Sequence, residues 1–316
     1  MFYKSIFLKK LIKFGETKNL IIKQLRRISY FFSVLLLSSF SFSQVIDFTG
    51  EWRPLFHEDA PDRLPGPAFG DFSGIPLSDE GRMRGDSYDP NRISMVTELQ
   101  CRPHGGDYSM RGLADLRISR EIDSDSQQAV AFHTRMSFNN MERIIWLDGR
   151  EHPPVDAVHT FQGFSTGVWD GNILEITTTH QKHSYLRRNG IPASAERIAT
   201  EHWILNGNYL TVVTVIDDPA FLTESWVHSQ DWERDPNRRL IPFGCVYSEE
   251  VPINLDNLVP HYLPGENPYL REFAERYHLP YLGTRGGAET LYPEFREVMG
   301  PPLGDAEFCN HDECDN

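Results

Sequence analysis

The sequence predicts a mainly β protein, a closed antiparallel barrel of about eight strands with short C-terminal helices packed on it. Residues 141–219 are short runs rich in β-branched and aromatic residues, and Asp170-Gly171 and Asn206-Gly207 join successive runs as tight hairpins require. Both faces of the first hairpin mix apolar and polar side chains. Such faces suit a barrel with a partly polar interior better than a sandwich with cleanly divided faces.

Residues 1–43 predict a cleaved export signal. They carry eight Lys and Arg against the single acid Glu16, and Arg26-Arg27 precede a short apolar run and the small residues that signal peptidase needs before Gln44. The apolar run is shorter than the roughly 20 residues of a membrane helix. We therefore expect a periplasmic or secreted protein with no membrane span after cleavage.

The charge balance argues against a nucleic-acid partner. The chain has 31 basic and 45 acidic residues, and without residues 1–43 these counts become 23 and 44, which changes the formal charge from -14 to -21. Neutralising phosphates takes clustered Lys and Arg, and after residue 44 the close pairs are Arg187-Arg188 and Arg238-Arg239. We expect a small-molecule ligand, and neither nucleic acid nor an anionic membrane surface.

The first elements follow from local pattern. The segment 45–52 predicts a strand, and its Gly50 and Trp52 resemble an opening motif of lipocalin-like barrels. Residues 53–92, rich in Pro, Gly and Asp, predict a long surface wrap with one helical turn around Ser78 to Arg84. Further strands are predicted at 114–122, 129–136, 142–147 and 221–232, on either side of the two hairpins.

The hairpins also predict a register. A two-residue turn at Asp170-Gly171 would set Gly167 opposite Leu174 and Ser165 opposite Ile176. In the second hairpin one alternating set is the predicted core face, and it consists of Leu210, Val212, Thr214 and Ile216.

After Cys245 the spacing of the apolar residues changes to that of an α-helix. Asn267-Pro268 predicts a helix start, and a second short helix is predicted from Pro293 with Phe295 and Val298 facing inward. Helices this short need a surface to dock on. The predicted organisation is therefore a signal peptide at 1–43, a barrel domain at 44–250, and a helical extension with an acidic tail at 251–316.

Four cysteines in an exported chain predict disulfides, for which three pairings exist. Cys309 and Cys314 are close enough to close a small loop, which leaves Cys101 for Cys245. The alternative is a soft metal site of Cys309, His311 and Cys314, which has only three ligands in an oxidising compartment.

Four segments carry a resemblance: RIIWLDGREHPP, GFSTGVWDGNILEITTTH, YLRRNGIP and YLTVVTVIDDP. They resemble a family of exported bacterial proteins that are expected to be β-barrels, and the resemblance covers about residues 95–250. It implies the fold and the compartment, and it assigns no reaction and no catalytic residue.

The sequence GFSTG at 163–167 matches the G-x-S-x-G pattern of a nucleophile elbow, and Ser165 could be followed by an acid and by His228 in the usual order. An elbow needs a helix directly after its serine, whereas a turn and a second strand follow here. This context rejects a serine hydrolase.

His180 and His183 could bind a metal together with His159, Glu201 or His202. Two ligands without a third at a defined spacing do not make a site, so no tightly bound metal is expected.

The preferred prediction is an exported lipocalin-like barrel that binds a small, partly apolar ligand without a cofactor. Barrels of about eight strands can hold one small ligand, aromatic-rich mixed faces suit a cavity, and arginine on a rim loop can hold an anionic group. The predicted ligand-binding residues are Trp146, His159, Trp169, His183, Tyr185, Arg187, Arg188 and Trp203.

Two alternatives remain open. One is a cofactor-independent isomerase, lyase or hydrolase acting on a lipid, terpenoid or sugar, with His180 and Glu201 sharing a cavity as acid and base. The other is an envelope protein that makes only protein contacts, which a filled barrel interior would favour.

Overall fold

A computed structural model of the chain describes residues 46–56, 66–91, 101–111, 114–241 and 261–304. The predicted export signal, Cys245, Cys309, Cys314 and the acidic tail lie outside these residues. Eleven strands lie within the described part, and they are β1 (Gly50–Leu55), β2 (Leu116–Ile122), β3 (Ala129–Met136), β4 (Glu142–Trp146), β5 (Phe164–Asp170), β6 (Ile173–Thr179), β7 (Ser184–Arg187), β8 (Ile191–Ala193), β9 (Ile198–Asn206), β10 (Tyr209–Asp217) and β11 (Trp226–Arg234).

Nine of these strands close into a barrel in the order β1, β11, β10, β9, β6, β5, β4, β3, β2, and β7 and β8 form a separate two-stranded sheet. The predicted mainly β barrel is confirmed, with nine strands. Neighbouring strands pair antiparallel except β4 and β5, which run parallel. The connection between β4 and β5, residues 147–163, is called the strap below.

The β5–β6 register differs from the prediction. Gly167 pairs with Ile176, and Ser165 pairs with Thr178, so each partner is two residues further along than predicted. A shift of two residues keeps every side chain on its face of the sheet. Ser165 and Ile176 are accordingly buried together in the barrel, while Val168 on the other face is exposed.

The barrel interior is filled at the end where the β5–β6 and β9–β10 turns lie. Trp52, Trp203 and Trp232 are fully buried there, and the Trp52 indole N–H donates to the Phe48 carbonyl at 3.0 Å. The predicted core face of β10 is confirmed, because all four of its residues are buried. The opposite end, where β5 and β9 begin and β6 and β10 end, is called the mouth.

Residues 66–91 wrap the mouth and include helix α1 (Asp79–Asp86), one turn longer than the sequence predicted. Ser78 caps this helix, since its Oγ accepts from the Gly81 N–H at 3.1 Å. The wrap and β7–β8 share a hydrophobic core with the ends of β9 and β10, which includes Phe72, Leu77, Leu186, Ile191 and Ile216.

The short helix α2 (Gly106–Ser109) is buried over the mouth. The C-terminal region contains α3 (Glu272–Arg276), α4 (Pro293–Val298), and the 3₁₀ turns Pro268–Arg271, Tyr281–Thr284 and Ala288–Leu291. Asn267 caps the first turn through its side chain, as the Asn-Pro pair predicts.

The C-terminal region docks on the wrap through backbone hydrogen bonds. The Phe72 N–H donates to the Thr284 carbonyl at 2.9 Å, and the Gly74 N–H donates to the Gly286 carbonyl at 3.0 Å. The inward orientation predicted for Val298 is wrong: this side chain is 63% exposed, because α4 lies at the surface.

Cys101 is disulfide-bonded. The other three cysteines lie outside the described residues, so the pairings Cys101–Cys245 and Cys309–Cys314 stay predictions. No helix in the described part of the chain is long and apolar enough to cross a membrane.

Candidate ligand-binding site at the barrel mouth

A buried ion pair lies inside the barrel below α2. The Arg143 guanidinium makes two hydrogen bonds to the Glu201 carboxylate, at 3.0 and 2.6 Å, and both side chains are almost wholly buried. The Trp203 indole N–H donates to the same carboxylate at 3.0 Å, and Arg143 also donates to the Gly106 carbonyl at 3.2 Å. This pair therefore links the barrel wall to α2, and its oxygens already accept hydrogen bonds from two protein groups.

A second buried ion pair holds the mouth together. The Arg197 guanidinium donates to the Asp107 carboxylate from Nε at 2.8 Å and to the Lys182 carbonyl from Nη1 at 3.0 Å. Burial by itself raises the pKa of Asp107, but Arg197, the Tyr108 N–H and nearby His228 together lower that pKa below its usual value. Arg197 thus fixes α2 against the segment that follows β6.

The strap lies alongside that same segment. The Lys182 N–H donates to the Thr160 carbonyl at 2.8 Å, and the Thr160 N–H donates to the His180 carbonyl at 3.0 Å. His159 also uses Nδ1 toward the Gln181 carbonyl at 3.2 Å, which fixes its tautomer because a carbonyl oxygen only accepts. Residues from the strap and from the end of β6 are therefore held side by side at the mouth.

A cavity of about 440 Å³ opens between these segments. Four segments contribute to its described lining: the segment before α2, the strap, the residues after β6, and the connection between β8 and β9. The lining residues are Arg102, His159, Phe161, Lys182, His183 and Ala195. We call it the cationic cavity, because four of these six residues are basic and none is acidic.

A second, larger cavity adjoins α1. It measures about 800 Å³, and we call it the apolar groove. Its walls include Met83, Phe221, Tyr262, Leu263 and Pro264, and His183 lines it as well as the cationic cavity. His183 therefore belongs to the lining of both cavities.

A chain of hydrogen bonds ties the strap to the barrel wall. Thr179 Oγ1 lies 2.7 Å from Nδ1 of both His152 and His180, and His152 Nε2 lies 2.9 Å from Thr166 Oγ1. His180 Nε2 donates to the Pro154 carbonyl at 2.9 Å. Burial, with a smaller contribution from His180, lowers the pKa of His152, so the strap is held by a neutral imidazole.

Two of the predicted ligand-binding residues, His159 and His183, meet in the cationic cavity. His180 is their neighbour, since the ring centroids of His159 and His180 lie 5.2 Å apart. His202 lies on the outer wall, 3.4 Å from Glu175. Within the described ranges, no three His, Cys, Asp or Glu side chains converge as metal ligands would.

The three predicted tryptophan walls do not meet. Trp203 is packed inside the barrel, and Trp169 is 40% exposed at the end away from the mouth, stacked on Phe48. Trp146 lies on the outer wall, where the guanidinium of Arg150 stands 3.4 Å from its ring centroid. Alternation along a strand predicts which face of the sheet a tryptophan lies on. It does not predict a cavity on that face, and here side chains fill the barrel interior.

The remaining predicted residues stabilise the wrap. Arg187 is buried and pairs with Asp71 at 3.2 Å, so it is not an exposed anchor on a rim loop. The Tyr185 ring packs edge-on against Tyr88 at 5.6 Å between centroids. Arg188 lies beside Gly66.

The predicted acid–base pair of His180 and Glu201 is not formed. Glu201 faces the barrel interior and is bound by Arg143 and Trp203, whereas His180 lies after the end of β6 and is bound by Thr179 and Pro154. The structure therefore supplies no shared proton between them.

Sequence reasoning missed Arg102, Phe161 and Lys182 in the cationic cavity, and the buried Asp107–Arg197 pair that holds the backbone of Lys182. One signal was present in the sequence: Lys182 is the only lysine after residue 44. Comparison of the chain with protein-family models and with curated proteins gives no match.

Proposed function

We propose that this chain is an exported β-barrel protein that binds a small, partly apolar ligand in the apolar groove at its mouth. One observation carries the proposal: a groove of about 800 Å³ leaves Met83 59% exposed and Leu263 45% exposed on facing segments. Small-molecule sites commonly have volumes of about 300–1,000 Å³, apolar walls and a few polar groups. Clustered exposed apolar side chains mark binding surfaces.

The proposed site lies outside the barrel because the interior is occupied. Trp52, Trp203 and Trp232 are fully buried in it together with the Arg143–Glu201 pair. The tryptophans that the sequence suggested do not line the groove proposed here. Of the predicted ligand-binding residues, His183 is the one that lines the groove.

Several ionic side chains in the groove lining form ion pairs. Arg82 pairs with Glu289 at 3.3 Å, and Arg285 makes an ion pair with Asp86. These pairs reduce the charge that the walls present to a ligand, and the lining offers apolar side chains together with polar groups such as His183. This balance suits a ligand that is only partly apolar.

The filled interior also favours a second candidate, an envelope protein whose groove receives a segment of another protein. Both candidates use the same walls, and they differ in the size of what binds. A small apolar molecule that binds with a single-site stoichiometry supports the first candidate. If this chain binds no such molecule, that result supports the second candidate.

Leu263→Gln tests the site, and Leu291→Gln is the matched control, because Leu291 is 74% exposed and does not line the groove. Burying a leucine side chain contributes about 1.5–3 kcal/mol, and each 1.4 kcal/mol is tenfold in affinity. We expect Leu263→Gln to weaken binding of the neutral dye Nile red about tenfold, and Leu291→Gln to leave it unchanged.

Fluorescence titration gives the dye affinities, and native mass spectrometry of the purified exported protein identifies any small molecule that copurifies. Dye binding that is absent, or equal in both variants, would contradict the site. Export itself is tested by sequencing the N-terminus of the secreted or periplasmic protein, which we expect to begin near Gln44.

A further inference from the structure

The ligand proposed above needs a polar end, and the cationic cavity is where a polar end would lie. His183 lines both cavities, so they adjoin one another at this residue. We propose that the cationic cavity binds an anionic head group, and that the ligand is an amphiphile carrying a carboxylate or a sulfate ester. This inference rests on the proposed function.

Charge is the first argument. Acidic residues outnumber Lys and Arg by 45 to 31 in this chain, yet Arg102 and Lys182 line the cavity together with two histidines, and no described acidic side chain lines it. A concave lining of basic groups concentrates positive potential, which attracts anions.

The chemistry of the donors is the second argument. The Lys182 ammonium can make charge-assisted hydrogen bonds to carboxylate or sulfate oxygens, which are about twice as strong as neutral ones. The two imidazoles add N–H donors when they are protonated. None of these groups can serve as an acceptor for a cationic head group except a neutral imidazole, so the set selects for negative charge.

Pre-organisation is the third argument. The Lys182 ammonium stands 4.7 Å from the centroid of the Phe161 ring, and the backbone of Lys182 is held by Thr160 and by the buried Arg197. A cation held over a ring face is already partly ordered before a ligand arrives. Less conformational entropy is then lost on binding, which favours affinity.

Lys182 makes the proposal testable, because it is the only lysine after residue 44. The test compares three probes with the same ten-carbon chain: decanoate, decyl sulfate and 1-decanol, each below its micellar concentration. We expect the purified protein to bind at least one of the two anions about tenfold or more tightly than the alcohol, the value of one charge-assisted hydrogen bond.

Lys182→Gln should remove most of this preference and leave 1-decanol and Nile red binding unchanged. Arg135→Gln is the matched control, since it removes one positive charge from an exposed residue paired with Glu142 and should leave the preference intact. Decanoate favoured over decyl sulfate would identify a carboxylate ligand, and the reverse order a sulfate ester.

A second measurement does not depend on a variant that folds. Reductive methylation followed by peptide mass analysis reports the reactivity of the Lys182 amine. We expect decanoate or decyl sulfate to protect this amine and 1-decanol to protect it far less.

Equal affinity for all three probes, or an anion preference that survives Lys182→Gln, would overturn this inference while the apolar groove stands. Failure of all three probes and of Nile red to bind would instead overturn the proposed function, and this inference with it.

Discussion

Removing Arg143 is the strongest single perturbation that the structure predicts outside the ligand site. Arg143 and Glu201 are 1% and 0% exposed, and two hydrogen bonds join them. In Arg143→Met the carboxylate stays buried with the Trp203 indole N–H as its remaining donor, and the Gly106 carbonyl keeps the Ser109 hydroxyl but loses the guanidinium donor. Breaking a buried pair from one side costs about 3–5 kcal/mol, against a typical total stability of about 5–15 kcal/mol.

The double variant Arg143→Met/Glu201→Gln separates the cost of an unpaired charge from the value of the pair. Glutamine keeps an acceptor oxygen for Trp203 and removes the negative charge. Replacing both charged partners of a buried pair is often close to neutral. We therefore expect the double variant to be more stable than Arg143→Met, with a coupling energy of about 2 kcal/mol or more.

Urea unfolding at pH 7, followed by tryptophan fluorescence, gives the free energies of unfolding for this cycle. Arg135→Met is the matched control, because the Arg135–Glu142 pair lies on the neighbouring surface with side chains 45% and 61% exposed. Exposed pairs contribute about 0–1 kcal/mol. An Arg143→Met variant within about 1 kcal/mol of wild type, or additive single effects, would refute the reasoning.

Two further predictions concern the strap and the wrap. Because the folded-state pKa of His152 is lowered, its contribution to stability is full above the unfolded value of about 6.5 and is lost progressively as the pH falls from that value through the lower folded-state pKa. Between pH 7.5 and pH 5.5 the wild type should therefore lose more unfolding free energy in urea than His152→Gln; equal losses would contradict this. Gly190→Ala should cost about 1–3 kcal/mol or more, since φ is +97° and the new Cβ would lie 2.3 Å from Tyr88 Cβ. Gly207→Ala, with φ +61° and no atom within 4 Å, should cost less in the same thermal unfolding assay.

Local pattern was enough for the strands and their faces. The alternation from Leu210 to Ile216 predicted the core face of β10. The faces of β5 and β6 were predicted correctly although their register was not, because the register error was an even number of residues. Alternation does not reveal whether an interior is filled. Trp203 was therefore read as a cavity wall, whereas it packs against Phe48 and donates to Glu201.

The site was only partly accessible to sequence reasoning. His183 was found because it clusters with His180 near the end of one strand, and His159 because it was considered as a further ligand beside them. Arg102 and Phe161 line the same cavity from other segments, and Lys182 is held there by Arg197, whose ion pair with Asp107 joins residues 90 positions apart. A pairing at that separation leaves no local periodicity, so one sequence alone does not predict it.

The strand number has a consequence for the mouth. A ring in which every neighbour is antiparallel must contain an even number of strands, and the nine strands of this barrel are odd in number. At least one neighbouring pair must then be parallel, and here it is β4 and β5. Parallel neighbours in sequence need a return path of a dozen or more residues, which the strap provides. The strap carries His159 and Phe161, so one wall of the cationic cavity exists because the barrel has an odd number of strands.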